Sequence, residues 1–302
     1  MLPTLRQLQF FQSLVRNRSF GRAAVDCAVS QSTLSAGIKE LETILGAQLV
    51  DRSSRQFQLT PLGETVADRG EEILNLAQDL MRVAEARPLL SGDLRLGLIP
   101  TIGPYLLTDM LPPLKRDYPA LRLFLREDLT EGLLSSLKAG DIDIAVLAMP
   151  VEVEGFDTLI FAEDPFLFAC AQDHPLAGRK TLSPQELSDQ RLLLLEDGHC
   201  LRDHALDACE LRSRDTVDTF GATSLFTLTQ MVAGGLGTTL LPKIAVDHGL
   251  AAFSGLAAVP IVEAAGTVPS RDLGLAWRRN SGREADARAL ADMMAELLPM
   301  RG

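Results

Sequence analysis

The chain has 302 residues, a net charge of −11, 46% apolar residues and four cysteines. Four cysteines in a chain this long exclude a secreted disulfide scaffold, and the acidic balance excludes a surface that binds nucleic acid throughout. No apolar run can span a bilayer and no signal peptide is evident at the N-terminus, so the expected compartment is cytoplasmic, with no membrane partner.

The first 60 residues carry seven Lys/Arg against four Asp/Glu, a balance of +3; the remainder carries 22 against 36, or −14. A basic head on an acidic body is the asymmetry expected of a DNA-binding head with a soluble partner domain. Residues 5–15 put Leu8, Phe11 and Val15 on one helical face. Ser19 can cap a second helix over 20–27, and Ser30 a third from 31 to about 45. In the third, Leu34, Ile38, Leu41 and Leu45 recur at helical spacing and are predicted core. Gln31, Ser32, Ser35 and Lys39 lie off that stripe. The pattern fits a helix-turn-helix whose second helix enters the major groove, with Gln31, Ser32 and Ser35 toward base edges. It also fits a small helical bundle with a solvated basic face. Residues 48–59 read as a hairpin wing, with Arg52 and Arg55 suited to phosphate. Thr60-Pro61 starts a further helix, with Pro at the first helical position. There Leu62, Val66, Ile73, Leu76, Leu80 and Val83 form a near-heptad seam, ending before Pro88, that favours pairing with a second copy.

Three stretches of this head carry a resemblance. Residues 19–24 (Ser-Phe through Ala-Ala) are followed by Val29-Ser30-Gln31-Ser32-Thr33-Leu34-Ser35. Leu49, Arg52 and Leu59-Thr60-Pro61-Leu62-Gly63 then follow in order. Together they resemble the LysR-type transcriptional regulators. The resemblance implies an α+β multidomain chain: a winged helix-turn-helix at 1–60, a dimerising linker helix at 61–89 and a regulatory domain at 90–302. The last would be an α/β domain like periplasmic solute-binding proteins. Its subdomain I would span about 90–163 plus 267–302, and its subdomain II about 164–266.

From Gly92 the residues themselves alternate between strand and helix patterns, as parallel sheets with crossovers require. Strands are predicted at 94–100, 121–126, 142–148, 166–171, 192–195, 216–220, 238–241 and 272–278. Helices are predicted at 105–118, 131–139, 224–233 and 284–298. Crossings between subdomains are expected near 162–164 and 265–268, with a ligand cleft between them. Gly234-Gly235-Leu236-Gly237 is a weak match to a phosphate loop, since no Lys-Ser/Thr follows.

The most distinctive stretch is 195–209, which holds two of the four cysteines and two of the four histidines. Asp197-Gly198 is a turn signal, and residues 201–211 contain helix formers and no breaker. Cys200 would then sit at a helix N-terminus, a setting that favours an anion and hence the nucleophilic thiolate. Cys209 is near enough to be a resolving partner. Structural cysteines explain the residues about equally well, and Cys27 and Cys170 fit that description better. A metal site using His199, Cys200, His204 and Cys209 is a more distant third, because the spacing is not a standard one.

The resemblance narrows at 96–107, at 195–203 with Cys209, and at Ala222-Thr223-Ser224-Leu225. These resemble the peroxide-sensing OxyR branch of the LysR-type regulators. That likeness implies a peroxidatic Cys200, a resolving Cys209 and a disulfide between them. It implies peroxide contacts from Thr101, Thr130, His199 and Arg271, and no cofactor, metal or enzymatic turnover. The implied partners are promoter DNA, hydrogen peroxide, further copies of the chain in a homotetramer, and RNA polymerase. Two rivals stay open: a LysR-type regulator that answers a small organic ligand and has structural cysteines, and a thiol peroxidase, which would not need a DNA-binding head.

Overall fold

The computed structural model describes residues 1–51, 57–84, 88–151, 154–209, 221–263 and 266–298. The chain divides into two compact units, residues 1–86 and 87–302.

The first unit is built on capped helices. Helix α1 (Leu5–Asn17) opens with a capping box: the Gln7 amide donates to Thr4 Oγ1, and the Thr4 amide donates to Gln7 Oε1. Helices α2 (Phe20–Asp26) and α3 (Gln31–Leu45) begin at Ser19 and Ser30, as expected. Phe11, Leu14, Leu34, Ile38 and Leu41 form the fully buried centre. Leu45, predicted core, is instead 39% exposed. It is the last residue of α3, where Gly46 in the left-handed region ends the helix. The apolar stripe thus ends at Leu41, and Glu42 turns inward to accept the Leu49 amide at 2.9 Å. Strands β1 (Val50–Asp51) and β2 (Gln58–Leu59) pair antiparallel, and helix α4 (Pro61–Ala84) follows. A β-carbon on Gly63 would lie 2.1 Å from the Leu49 carbonyl oxygen, so only glycine lets α4 start so close to the hairpin.

In the second unit, strands β3 (Gly92–Leu98), β4 (Leu121–Glu127) and β5 (Ile144–Met149) run parallel, in the order β4-β3-β5. All six residues of β5 are buried, as a strand covered on both faces requires. Helices α5 (Gly103–Asp117), α6 (Thr130–Ala139) and α11 (Glu284–Leu297) contribute to this subdomain. The 16-residue strand β6 (Phe156–Ala171) is the crossing. Its first part pairs with β9 (Ser270–Arg278) and its last part with β7 (Thr239–Pro242) and β8 (Leu256–Pro260). The expected crossing at 162–164 falls inside this strand. The predicted strand at 192–195 is a correction: its four leucines are buried, but they form only isolated bridges, Leu192 with Thr238 and Leu195 with Ala222. The Leu193 amide donates to the Thr238 carbonyl and the Leu194 carbonyl accepts from the Ala222 amide, so the run bonds briefly to a different segment at each end instead of pairing along one strand. The predicted strand at 216–220 and part of the second crossing lie outside the described residues.

Subdomain II adds helices α7 (Cys200–Ala208), α8 (Leu225–Ala233), α9 (Lys243–Asp247) and α10 (Leu250–Phe253). The two subdomains have separate apolar cores. Helix α7 bridges them: Leu201, Ala205, Leu206 and Cys209 belong to the core of subdomain II, while Cys200 packs against that of subdomain I.

Candidate functional site: the Cys200 pocket

Three helix starts converge on one small pocket. It is lined by Ile99, Pro100 and Thr101 ahead of α5, Leu129 and Thr130 at the start of α6, and Gly198, His199 and Cys200 at the start of α7. The convergence follows from local sequence. Strand β3 ends at Leu98, two residues before its predicted end, so 99–102 form a turn whose Ile99 carbonyl accepts the Ile102 and Gly103 amides. Helix α6 begins at Thr130, placing that residue in its first turn. Gly198 takes φ +96°, which turns the chain into α7 as the Asp197-Gly198 pair anticipated. Helices α6 and α7 begin at the pocket, and the partial positive charge of a helix N-terminus favours negative charge within its first turn. Its free volume, about 10 Å³, suits a single water-sized molecule.

Polar groups in the pocket differ in how they are satisfied. Thr130 Oγ1 is buried and makes no hydrogen bond among the described residues. Thr101 is 3% exposed, and its hydroxyl oxygen accepts from Arg271 Nη1 at 2.9 Å. Its own hydrogen is therefore free to point elsewhere. Burial holds the His199 imidazole below the usual histidine range, opposed by the Glu196 carboxylate and by a hydrogen bond to the Thr223 backbone. The neutral ring has one nitrogen able to accept a proton. Arg271 does not line the pocket. It sits behind Thr101, fully buried, and donates to Asp164 as well. Asp164 was not anticipated as a site residue. Its signal was a carboxylate pair, Glu163-Asp164, interrupting an apolar run beside Pro165 where the chain crosses between subdomains.

The cysteines have unlike surroundings. All four are free thiols. Cys200 is partly exposed at the start of α7, whereas Cys209, at its far end, is 1% exposed. Burial pushes the Cys209 thiol up to about 12, with Glu263 adding to the effect. Cys170 is also buried and its thiol raised, chiefly by burial and then by Asp173. Among the described residues no group of three or more His, Cys, Asp or Glu side chains is placed to hold a metal. No described helix is long and apolar enough to cross a membrane.

In the first unit, Gln31, Ser32, Ser35 and Lys39 are all exposed on α3. Arg52 and Arg55 lie outside the described residues.

The family model for the bacterial regulatory helix-turn-helix protein, lysR family, matches residues 5–64, and that for the LysR substrate binding domain matches 87–299. The chain is 39% identical over 297 residues to the HTH-type transcriptional regulator EstR of Acinetobacter baylyi, covering 98% of this chain and 97% of that protein. It is 39% identical over 293 residues to a hydrogen peroxide-inducible genes activator of Dickeya chrysanthemi, covering 97% and 95%. A solved structure of a full-length OxyR variant from Pseudomonas aeruginosa superposes with a TM-score of 0.81 at 35% identity, covering 98% of this chain and 95% of that one.

Proposed function

We propose, for a chain that belongs to the LysR family of transcriptional regulators, that it senses hydrogen peroxide at Cys200 and passes the signal to promoter DNA. The observation that carries this reading is the pocket: a partly exposed thiol at three converging helix starts, beside a buried hydroxyl that has no partner among the described residues. Peroxide is small and can both donate and accept hydrogen bonds. An organic effector needs a cavity of roughly 300 Å³ or more. The small pocket favours peroxide.

In this mechanism the Cys200 thiol gives its proton to neutral His199. The thiolate attacks one peroxide oxygen; the S–O bond forms as the O–O bond breaks. Sulfur is oxidised to sulfenic acid, and the departing hydroxide takes the proton from His199 to leave as water. Thr101 and Thr130 hold the two oxygens. Cys209 then displaces the sulfenic hydroxyl, forming the disulfide and a second water. The DNA contacts run through Gln31, Ser32, Ser35 and Lys39 on α3 and through Arg52 and Arg55. The exposed Leu62, Ile73, Leu76 and Leu80 of α4 pair with a second copy, and two such pairs make the tetramer.

The test is thiol titration and promoter footprinting of the full chain before and after stoichiometric peroxide. Loss of two thiols, with a changed footprint abolished by Cys200→Ser, is expected. A footprint that changes with peroxide in Cys200→Ser would return the choice to an organic effector.

A further inference from the structure

Asp164 lies on β6 where the chain passes between subdomains, and it is 3% exposed. Its two oxygens have separate duties. Oδ1 accepts the Ile244 amide, at the start of α9, at 2.9 Å. Oδ2 accepts from Arg271 Nε at 3.0 Å and Nη2 at 2.9 Å. The same guanidinium donates through Nη1 to Thr101 Oγ1 at 2.9 Å and through Nη2 to the Thr101 carbonyl at 3.1 Å. Four hydrogen bonds therefore fix a planar cation between Asp164 and Thr101. Arg271 has donors only and does not deprotonate, so Thr101 Oγ1 must accept from it. The hydroxyl hydrogen is thereby turned away from Arg271, and Thr101 lines the pocket beside Cys200.

We infer that Asp164 is a positioning residue for the oxidation of Cys200: it aligns Arg271, which fixes Thr101 as a hydrogen-bond donor to the departing hydroxide. This rests on the peroxide reading above. As the O–O bond breaks, the leaving oxygen gains negative charge. A hydroxyl already polarised by a buried cation stabilises that charge without reorganising. Only a carboxylate serves both of Asp164's neighbours. An asparagine has one acceptor oxygen, and its amide would confront an N–H of either Ile244 or Arg271.

The experiment measures the second-order rate of Cys200 oxidation by hydrogen peroxide in the full chain, alongside the rate of Cys200 alkylation by iodoacetamide. Asp164→Asn should slow oxidation about tenfold, the scale of one hydrogen bond to a charged group, and leave alkylation within about twofold. In a Thr101→Val background the same substitution should have almost no further effect on oxidation. Asp164→Glu, which keeps both acceptors, should recover part of the rate. If Asp164→Asn does not fold, Arg271→Lys replaces it, since one ammonium cannot reproduce the four-bond fork; the same peroxide-selective loss is expected. An unchanged oxidation rate, an equal loss in alkylation, or additive losses with Thr101→Val would each overturn the inference. A wild-type Cys200 that stays reduced in peroxide would instead overturn the peroxide reading itself.

Discussion

Thr130 carries a buried hydroxyl without a partner among the described residues, and a buried polar group left so costs roughly 1–3 kcal/mol. The fold gains nothing from it, and the hydroxyl lines the pocket beside Cys200. Thr130→Val, nearly equal in volume, should therefore leave the melting temperature unchanged or raise stability by about 1 kcal/mol, while slowing oxidation of Cys200. A lower melting temperature, or an unchanged peroxide rate, would remove Thr130 from the site. Cys209 makes a complementary prediction. Its thiol, raised to about 12 by burial, should resist iodoacetamide in the reduced chain long after Cys200 is modified. Simultaneous labelling by mass mapping would contradict this. His199 gives the pH dependence. Its depressed value means the folded chain prefers the neutral ring, so its contribution to stability is full above the ordinary 6.5 and fades as pH falls below it. His199→Gln should flatten that acid decline in denaturant titrations. Cys200 and His199 drew attention in the sequence because they follow a turn signal at a predicted helix start, whereas Thr101 was named only through the family resemblance. Asp164 was not legible, because its role depends on Arg271, 107 positions away and adjacent only after the sheet forms.

At the scale of elements, the helices of the first unit were readable from caps and spacing, since both are local. Buried residues at 192–195 were misread as a strand, because an apolar run records burial but not whether one neighbouring strand pairs along its whole length; here Thr238 and Ala222 each pair with one end. Long strand β6 appeared in sequence only in its second half. Its first half alternates burial irregularly around a register shift between Ile160 and Ala162. Helix α4 keeps a line of exposed apolar residues, with Leu76 at 61% and Leu80 at 69%. Leu76→Glu with Leu80→Glu should weaken self-association in sedimentation while leaving circular dichroism intact. Unchanged association would place the pairing surface elsewhere. The packing of α3 on α1 allows a sharper test. A β-carbon on Gly37 would lie 2.7 Å from the Phe10 ring, so Gly37→Ala should cost roughly 1–3 kcal/mol in the head despite alanine's better helix propensity.

For the whole molecule, the consequence of peroxide depends on α7. Cys200 and Cys209 stand at its two ends, and nine residues of helical rise separate them by roughly 13 Å. A disulfide needs α-carbons within about 7 Å. Cys209 is also buried in the core of subdomain II. The proposed bond would therefore require α7 to unwind and Cys209 to leave that core, so a local oxidation would become a repacking of one subdomain. Two discrete packings of one segment are what a switch needs. The direct test is amide hydrogen exchange across residues 200–209, before and after stoichiometric peroxide, with peptide mapping of the cysteines. The account predicts a Cys200–Cys209 linked peptide together with lost protection over 201–208. A linked peptide with protection unchanged, or sulfenic acid that never passes to Cys209, would contradict it.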